Sequence, residues 1–245
     1  MIPKIVHYIW FGGKPFPEKV QYCIESWKKH LPDYEFKLWN EDSFDVDSIP
    51  FTREAYEHKK WAFVSDYVRL YALSSYGGWY LDTDVEVLRP LTPFLDKRMV
   101  LGTDEGGYLT ATMAAEANHP FWNEMLSIYH DLHFVNSDGS LNQEVNNTYL
   151  QDTLAKYGYV IANRYQLLRD GIEVFPDDYF HVMSLTSGKE HKTANSYTIH
   201  WHTLLWVNRK TRVVRFLRMN LLVPLLGAER YSRITNSLKI WLRRK

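Results

Sequence analysis

The first forty residues alternate between extended and helical patterns, and this order limits the folds open to the chain. Residues 4–10 (KIVHYIW) predict a strand that ends before two glycines, and residues 34–40 (YEFKLWN) predict a second strand. Between them, apolar side chains recur on one face of a predicted helix: Val20, Cys23, Ile24, Trp27 and Leu31. Because a helix joins the two strands, we expect a parallel pair within a sheet that binds its ligand at the carboxyl ends of its strands.

The chain continues this alternation up to residue 207. Helices are predicted at residues 59–78, 119–132 and 147–158, and strands at residues 79–88, 98–104, 171–176 and 195–202. Hydrophobic residues make up 45% of the 245 residues, which is enough for a folded core. We therefore predict an α/β domain over residues 1–207, with a mixed sheet flanked by helices.

Charge divides the chain at residue 208. Residues 208–245 contain eleven Lys or Arg and one acid, so their net charge is near +10, and residues 1–207 are near −10. Apolar side chains recur at helical spacing in this segment, which predicts a basic amphipathic helical appendage. Such helices suit an anionic membrane surface, but docking onto the acidic domain would use the same charge. No recognised nucleic-acid motif accompanies it, and we expect no nucleic-acid partner.

Three sequence features bear on cellular location. Cys23 is the only cysteine, which excludes an internal disulfide and favours a reducing compartment. The opening residues, MIPKIVHYIWFGG, do not follow the pattern of a signal peptide, and the longest apolar run, residues 219–228, is too short to span a bilayer. We expect a cytoplasmic protein that binds peripherally to the inner face of the cell membrane if the basic segment is an anchor.

Two aspartates, Asp82 and Asp84, lie where the predicted buried strand in GGWYLDTDVE (77–86) should be ending. Alternate side chains of an extended segment point the same way, so we expect the two carboxylates to converge. Like charges this close repel unless a cation or hydrogen-bond donors compensate them. Two oxygen ligands at a strand end suit Mn²⁺ or Mg²⁺, with a substrate diphosphate completing the coordination.

Other kinds of site also use a D-x-D pattern. An EF-hand loop would need Gly and Glu where the chain has Val87 and Pro93. A haloacid-dehalogenase-type phosphatase begins with D-x-D, but usually has Thr or Val where the chain has Glu86; the PDD at 176–178 could match its later acidic pair. A solvated turn fits poorly with the apolar WYL that precedes the aspartates. The phosphatase stays open as an alternative, as does a non-catalytic nucleotide-sugar-binding protein.

A longer pattern around the aspartates is more specific. Residues 65–69 read S-D-x-x-R, residues 77–80 read G-G-x-Y and residues 82–84 read D-x-D, and the chain opens with IPKIVHYIWFGG. Over residues 2–90 this order resembles the DXD sugar transferases of the family 32 type, which include the yeast initiating mannosyltransferase, bacterial capsular polysaccharide transferases and the catalytic cores of clostridial glucosylating toxins.

The resemblance implies a fold and an activity. The fold is the nucleotide-binding GT-A type. The activity is a retaining, metal-dependent transfer of a hexose from a nucleotide-diphosphate sugar, with a UDP-sugar as the expected donor. By resemblance to the bacterial members, the acceptor is a glycan or a lipid-linked oligosaccharide in bacterial polysaccharide synthesis.

The resemblance also assigns roles to individual residues. The expected catalytic residues are Asp82, Asp84 and Arg69. The expected nucleotide-sugar-binding residues are Trp10, Asp66, Arg69, Tyr80, Asp82 and Trp206. Trp10 would stack on the base, although a core tryptophan is the alternative. Asp66 and Arg69 would bind the ribose, the sugar and the phosphate region, although residues three apart on a helix also form ordinary ion pairs.

The last part of the site departs from the family pattern. Family members often have a strand I-H-H-W, and here residues 199–206 read IHWHTLLW. His200 and His202 alternate in the predicted strand, so we expect both to face the metal with Asp82 and Asp84, or to be ordinary strand histidines. Trp206 would close over the diphosphate. Asp104, at the end of the predicted strand 98–104, is a weak candidate for the acceptor side.

Overall fold

The computed structural model describes residues 1–104, 107, 109–184, 188–203, 217 and 223–227. Its helices are α1 (Glu18–His30), α2 (Pro50–Glu57), α3 (Trp61–Tyr76), α4 (Pro120–His130), α5 (Asn146–Lys156), α6 (Asp177–Phe180) and α7 (Val223–Leu226). Its strands are β1 (Ile5–Ile9), β2 (Glu35–Trp39), β3 (Gly78–Leu81), β4 (Val85–Val87), β5 (Met99–Gly102), β6 (Thr112–Ala115), β7 (Gln166–Leu167), β8 (Ile172–Phe175) and β9 (Thr198–His200). The elements α2, α6, β6 and β7 were not predicted from the sequence.

A seven-stranded mixed sheet forms the centre of the domain, in the order β2-β1-β3-β6-β5-β8-β7. The neighbours β1/β2, β1/β3 and β5/β8 are parallel. The strand β6 is antiparallel to both β3 and β5, and β7 is antiparallel to β8. The predicted parallel pairing of the first two strands and the α/β class are therefore confirmed. The carboxyl ends of β1, β3, β5 and β8 lie at one edge of the sheet, in that order.

Alternating side chains of β3 divide between two apolar clusters. Tyr80 packs in the cluster that includes Leu70 of α3 and Trp122 of α4, whereas Trp79 packs in the cluster that includes Trp27 of α1. The apolar stripe predicted for α1 is buried throughout. Because both faces of the sheet are covered by helices, polar groups along this strand become accessible only where the strand ends.

Two glycines make the connection from α3 to β3 possible. Gly77 and Gly78 have φ values of 63° and 96°, which side-chain-bearing residues rarely adopt. A Cβ atom on Gly77 would lie 2.5 Å from the backbone nitrogen of Ala117, and one on Gly78 would lie 2.7 Å from the carbonyl oxygen of Ile5. The pair lets α3 end directly against the sheet, which brings the last turns of α3 close to the end of β3.

The strand predicted over residues 79–88 is divided into β3 and β4, and its first part ends at the two aspartates as expected. The chain leaves the central sheet after Leu81, turns at residues 82–84, and continues as β4, which pairs with β9 in a separate two-stranded sheet. The turn is closed by the backbone of Val85 donating to the carbonyl of Asp82 at 2.9 Å. The two aspartates therefore lie at the junction of two sheets.

The predicted appendage, residues 208–245, lies outside the described residues except for residue 217 and residues 223–227. None of the helices that the structure describes is long and apolar enough to cross a membrane.

Candidate functional site

A cavity of about 570 Å³ opens at the edge of the sheet where β1, β3, β5 and β8 end. Side chains at the ends of β1, β3 and β5 line it, together with residues of α3, His181 after α6, and the segment that follows β9. Of the residues predicted for the site, the cavity is lined by Trp10, Asp66, Arg69, Tyr80, Asp82, Asp84, Asp104, His200 and His202. Trp206 lies outside the described residues.

The turn at residues 82–84 brings the two carboxylates together. The sequence predicted their convergence from an extended backbone, but here it results from the turn between β3 and β4. Oxygens of Asp82 and Asp84 and a ring nitrogen of His200 all lie within 4.8 Å of one another. The predicted convergence is therefore observed, with a different local geometry.

Asp82 is compensated by groups from β3 and α3. The Tyr80 hydroxyl donates to its Oδ1 at 2.6 Å, and an Arg69 guanidinium nitrogen lies 3.7 Å from the same oxygen. Burial raises the pKa of Tyr80 well above its ordinary value, and the neighbouring Asp82 raises it further against the opposing effect of Arg69. The phenol therefore stays protonated and continues to donate to Asp82.

Arg69 is fixed in place from several directions. It forms an ion pair with Asp66 at 3.2 Å and donates to the backbone carbonyls of Ser65 at 3.2 Å and Thr110 at 3.1 Å. These contacts restrict the orientation of the Arg69 side chain, which is 9% exposed. The predicted helical ion pair is observed, and both of its residues line the cavity.

Asp66 lies at the inner end of the same network. The backbone nitrogen of Asn146, at the start of α5, donates to its Oδ2 at 3.2 Å. Burial raises the pKa of Asp66 to about 6, while Arg69 and the Asn146 N–H act in the opposite direction. Near neutral pH the carboxylate is ionised and balances part of the charge of Arg69.

The charge of Asp84 is compensated by His200, the last residue of β9, and by Thr203, which follows that strand. Its Oδ1 lies 3.3 Å from Nε2 of His200, and its Oδ2 accepts from the backbone nitrogen and the hydroxyl of Thr203 at 2.7 and 2.8 Å. Burial opposes ionisation of Asp84, but the His200 imidazolium and the Thr203 donors outweigh it and lower the pKa of Asp84. Burial also lowers the pKa of His200, and Asp84 more than offsets this, so the pKa of His200 is raised.

The group Asp82, Asp84 and His200 has the composition of a divalent-cation site. It offers two carboxylate oxygens and one imidazole nitrogen on one wall of the cavity. His202 is not in this group. The strand β9 ends at His200, His202 has a φ of 50°, and its Nε2 lies 3.1 Å from the carbonyl of Met183. Its ring packs against that of His200, with the centroids 3.9 Å apart.

Trp10 lies at the end of the cavity formed by β1. Its indole nitrogen donates to the carbonyl of Lys14 at 2.6 Å, and its ring contacts Phe16 edge-on. Gly12 follows with a φ of 92°, and a Cβ atom there would lie 2.8 Å from the indole nitrogen of Trp61 at the start of α3. The half-buried Trp10 ring is thus held on the cavity wall.

Three polar residues are among the cavity residues that were not predicted from the sequence: Asn147, His181 and Thr203. Asn147 accepts from the backbone nitrogen of Leu109 through its side-chain oxygen at 2.9 Å, which ties α5 to the segment after β5. His181 is buried beside His200, with the ring centroids 5.8 Å apart. Of the three, only Thr203 had a sequence signal, since it follows the predicted histidine strand by one residue.

Comparison with known proteins gives a family match for one segment. Residues 17–102 match the family described as "Glycosyltransferase sugar-binding region containing DXD motif". Two proteins of Schizosaccharomyces pombe are similar over half of the chain. Inositol phosphoceramide mannosyltransferase 3 is 34% identical over 125 residues, and inositol phosphoceramide mannosyltransferase 1 is 29% identical over 133 residues. Each alignment covers 49% of this chain, but only 35% and 40% of those proteins.

A solved structure supports the fold. The PaToxG glycosyltransferase superposes with a TM-score of 0.50 and 20% identity, over 63% of this chain and 69% of that chain. At 20% identity, this structural similarity shows only that the two proteins share a fold. Together with the family match, it confirms the resemblance inferred from the S-D-x-x-R, G-G-x-Y and D-x-D patterns and the α/β fold expected from it.

Proposed function

We propose that this chain, whose residues 17–102 belong to the DXD-containing glycosyltransferase family, transfers a hexose from a nucleotide-diphosphate sugar to a glycan or lipid-linked acceptor. The observation that carries the proposal is the Asp82, Asp84 and His200 group, which shares one cavity with the Asp66–Arg69 pair. The names of the relatives, which are mannosyltransferases, support it.

The proposed donor lies along the sheet edge from β1 towards β5. Its base stacks on Trp10, and such stacking contributes about 1–3 kcal/mol. Its diphosphate lies at the carboxylate and imidazole group, and its sugar reaches Arg69, Asp66 and Tyr80. We propose a UDP-sugar as the first donor to test. Mannose is the first alternative sugar, because the similar proteins are named for its transfer.

The residues of the metal group fit Mn²⁺ or Mg²⁺. Asp84 and Asp82 would supply oxygen ligands, and His200 would supply a nitrogen ligand after its ring loses the proton that Asp84 favours. A divalent ion held there acts as a Lewis acid that stabilises the charge of the departing diphosphate.

The proposed contribution of the chain itself is position and fixed charge. Arg69 is held by carbonyls and carboxylates before any ligand arrives, so its charge needs little reorganisation during reaction. We infer a retaining course from the family resemblance, with the acceptor hydroxyl entering on the face that the diphosphate leaves. In that course the protein positions two substrates, and the departing phosphate takes up the hydroxyl proton.

Hydrolysis of nucleotide sugars tests the proposal and its alternatives together. UDP-glucose, UDP-galactose, UDP-N-acetylglucosamine and GDP-mannose would each be incubated with the protein in Mn²⁺, in Mg²⁺ and in EDTA. We expect slow, cation-dependent release of the sugar from one donor, and NMR of the freshly released sugar reports whether the anomeric configuration is retained. Cleavage of a phosphomonoester such as p-nitrophenyl phosphate would instead support the phosphatase, and binding without turnover would support a nucleotide-sugar-binding protein.

We propose bacterial polysaccharide synthesis as the setting, on resemblance alone, with a cytoplasmic protein peripheral to the inner face of the membrane. The similar fungal proteins are named for a lipid, inositol phosphoceramide, so a lipid-linked acceptor is the version to test first.

Residues 208–245, near +10 in charge, suit an anionic bilayer. Co-sedimentation with phosphatidylglycerol vesicles should weaken as salt rises; protein that stays in the supernatant at low salt would exclude this anchor.

A further inference from the structure

His181 is a buried histidine to which the proposed mechanism gives no role. It directly follows α6, where its backbone nitrogen donates to the carbonyl of Asp177 at 2.8 Å. The residue is 2% exposed, yet it lines the cavity. Neither ring nitrogen reaches hydrogen-bond geometry with any residue that the structure describes, although the backbone of Gly102 is near enough to favour the protonated ring slightly.

A buried imidazole whose two nitrogens have no hydrogen-bond partner among the described residues lowers the stability of the folded protein. A buried polar group without a partner loses its hydrogen bonds to water on folding, and such groups are uncommon. The surrounding backbone accommodates the ring closely, since a Cβ atom on Gly102 would lie 3.1 Å from its Cδ2 atom. The ring is therefore held at the cavity wall by packing, with its hydrogen-bonding capacity unused within the described part of the chain.

The order of the strands places His181 relative to the proposed donor. Trp10 follows β1, the D-x-D turn follows β3, and Asp104 follows β5. His181 comes after β8 and packs against Gly102, the last residue of β5. A donor whose base lies at Trp10 and whose diphosphate lies at the D-x-D turn leaves the β5 side of the cavity for sugar groups.

We propose that His181 hydrogen-bonds a hydroxyl group of a sugar on the β5 side of the cavity. This inference rests on the proposed transferase function. Burial disfavours the charged form of an imidazole ring. A neutral imidazole has one donor and one acceptor, and a hydroxyl group can satisfy both, whereas a diphosphate offers acceptors alone. The hydroxyl comes either from the donor sugar or from the acceptor.

The variants His181→Phe and His181→Gln test the inference. Phenylalanine keeps the planar shape and loses both polar nitrogens, whereas glutamine keeps a donor and an acceptor. His191→Gln is a matched control, because His191 lies 3.3 Å from Asp177 near the same helix but does not line the cavity. We expect H181F to lower kcat/KM for transfer about 10- to 100-fold, H181Q to recover part of it, and H191Q to match the wild type.

Two measurements distinguish the source of the hydroxyl. Hydrolysis of the best nucleotide sugar in Mn²⁺ without an acceptor reports on the donor sugar, and transfer to octyl glucoside or octyl mannoside reports on the acceptor. A raised KM in hydrolysis assigns His181 to the donor sugar, and a raised KM for the octyl glycoside alone assigns it to the acceptor. In both cases the affinity for the matching nucleoside diphosphate with Mn²⁺ should stay within about threefold of wild type.

Other outcomes would overturn the inference. H181F with wild-type kinetics would show that the ring is only packed, and an equal loss of nucleoside diphosphate affinity would place its effect at the metal group. If H181F fails to fold, H181Q still decides, because only a hydroxyl contact predicts a change in KM without a change in nucleoside diphosphate affinity. A wild-type protein that neither hydrolyses nor transfers from any donor would refute the proposed function, and this inference with it.

Discussion

The two carboxylates of the D-x-D turn belong to differently built halves of the site. The α3 half consists of Asp66, Arg69, Tyr80 and Asp82, which lie within 17 consecutive residues. The β9 half consists of Asp84, His200 and Thr203, where the Asp84–Thr203 contact joins residues 119 apart. The α3 half is one guanidinium shared between two carboxylates, whereas in the β9 half an imidazole and two donors surround a single carboxylate.

This difference indicates in which half the charges are already held in place before a ligand binds. Arg69 compensates Asp66 and Asp82 from within the same helix and the adjoining strand, so the α3 half is an internal part of the domain. Asp84 depends on a chain segment that returns to the sheet late in the sequence. We therefore expect changes in the α3 half to alter stability first, and changes in the β9 half to alter cation affinity first.

The largest effect is expected from Asp84→Asn. Losing this charged ligand should lower cation-dependent turnover about 1,000-fold, similar to the loss of a key electrostatic group in other active sites. The variant should still fold, because asparagine keeps an oxygen that Thr203 can reach, although the ion pair with His200 is lost. Turnover with each nucleotide sugar in saturating Mn²⁺ is the measurement. Near wild-type turnover would remove Asp84 from the proposed metal group.

Arg69→Met should act mainly on stability, in addition to removing the charge that the proposed mechanism assigns to Arg69. Methionine fills similar space, but it leaves Asp66 and Asp82 without their cation, and breaking a buried charge network typically costs about 3–5 kcal/mol. Urea unfolding of the variant measures the loss. The double variant Asp66→Asn/Arg69→Met is the control, and it should recover part of the stability because one carboxylate is also removed. An R69M protein as stable as wild type would contradict the view of the α3 half as an internal network.

The pH dependence of stability tests the α3 half through Asp66. The pKa of Asp66 is about 6 in the folded protein and 3.8 in its ordinary environment, so between these values the folded state binds more protons than the unfolded state. Stability should therefore fall as pH rises from about 4 to about 6, by up to roughly 3 kcal/mol at 1.36 kcal/mol per pKa unit. Asp66→Asn should flatten this part of the curve. Superimposable pH–stability curves for wild type and D66N would count against the raised pKa.

The smallest effect is expected from Thr203→Val. This change removes the hydroxyl donor to Asp84 and keeps the backbone donor, so the carboxylate is oriented less firmly. Partners of metal ligands typically contribute 10- to 100-fold in affinity, and we expect about tenfold here because one donor stays. Mn²⁺ titration by calorimetry measures it, with Thr203→Ser as the conservative control. If T203S weakens Mn²⁺ binding as much as T203V, the hydroxyl is not responsible.

Local patterns were sufficient to predict the α3 half. Asp66 and Arg69 share a helix face, Gly77 and Gly78 end that helix, and Tyr80 and Asp82 follow within a few residues. Each of these relations spans less than one helix and one strand, so helical periodicity and glycine signals specify it. The stripe of α1 and the parallel pairing of β1 with β2 were predicted for the same reason.

Long-range pairings limited the prediction of the other half. The strand β4 pairs with β9, and no local pattern shows that the chain changes sheets at residues 82–84. His202 was expected to face the metal together with His200 because strict alternation was assumed, but β9 ends at His200. His181 follows a four-residue helix that has no periodic signal. Strand order and register over such separations depend on tertiary packing.

The distance along the chain between Asp84 and Thr203 has a consequence during synthesis. Ribosomes add roughly 5–20 residues per second, so the 119 residues between them take about 6–24 s to make. In that interval the α3 half can already be in place beside β1 and β3, while Asp84 lacks both His200 and Thr203. The nascent chain therefore has an incomplete cation site throughout this interval, and a metal ion gains its full ligand set only when β9 has joined β4.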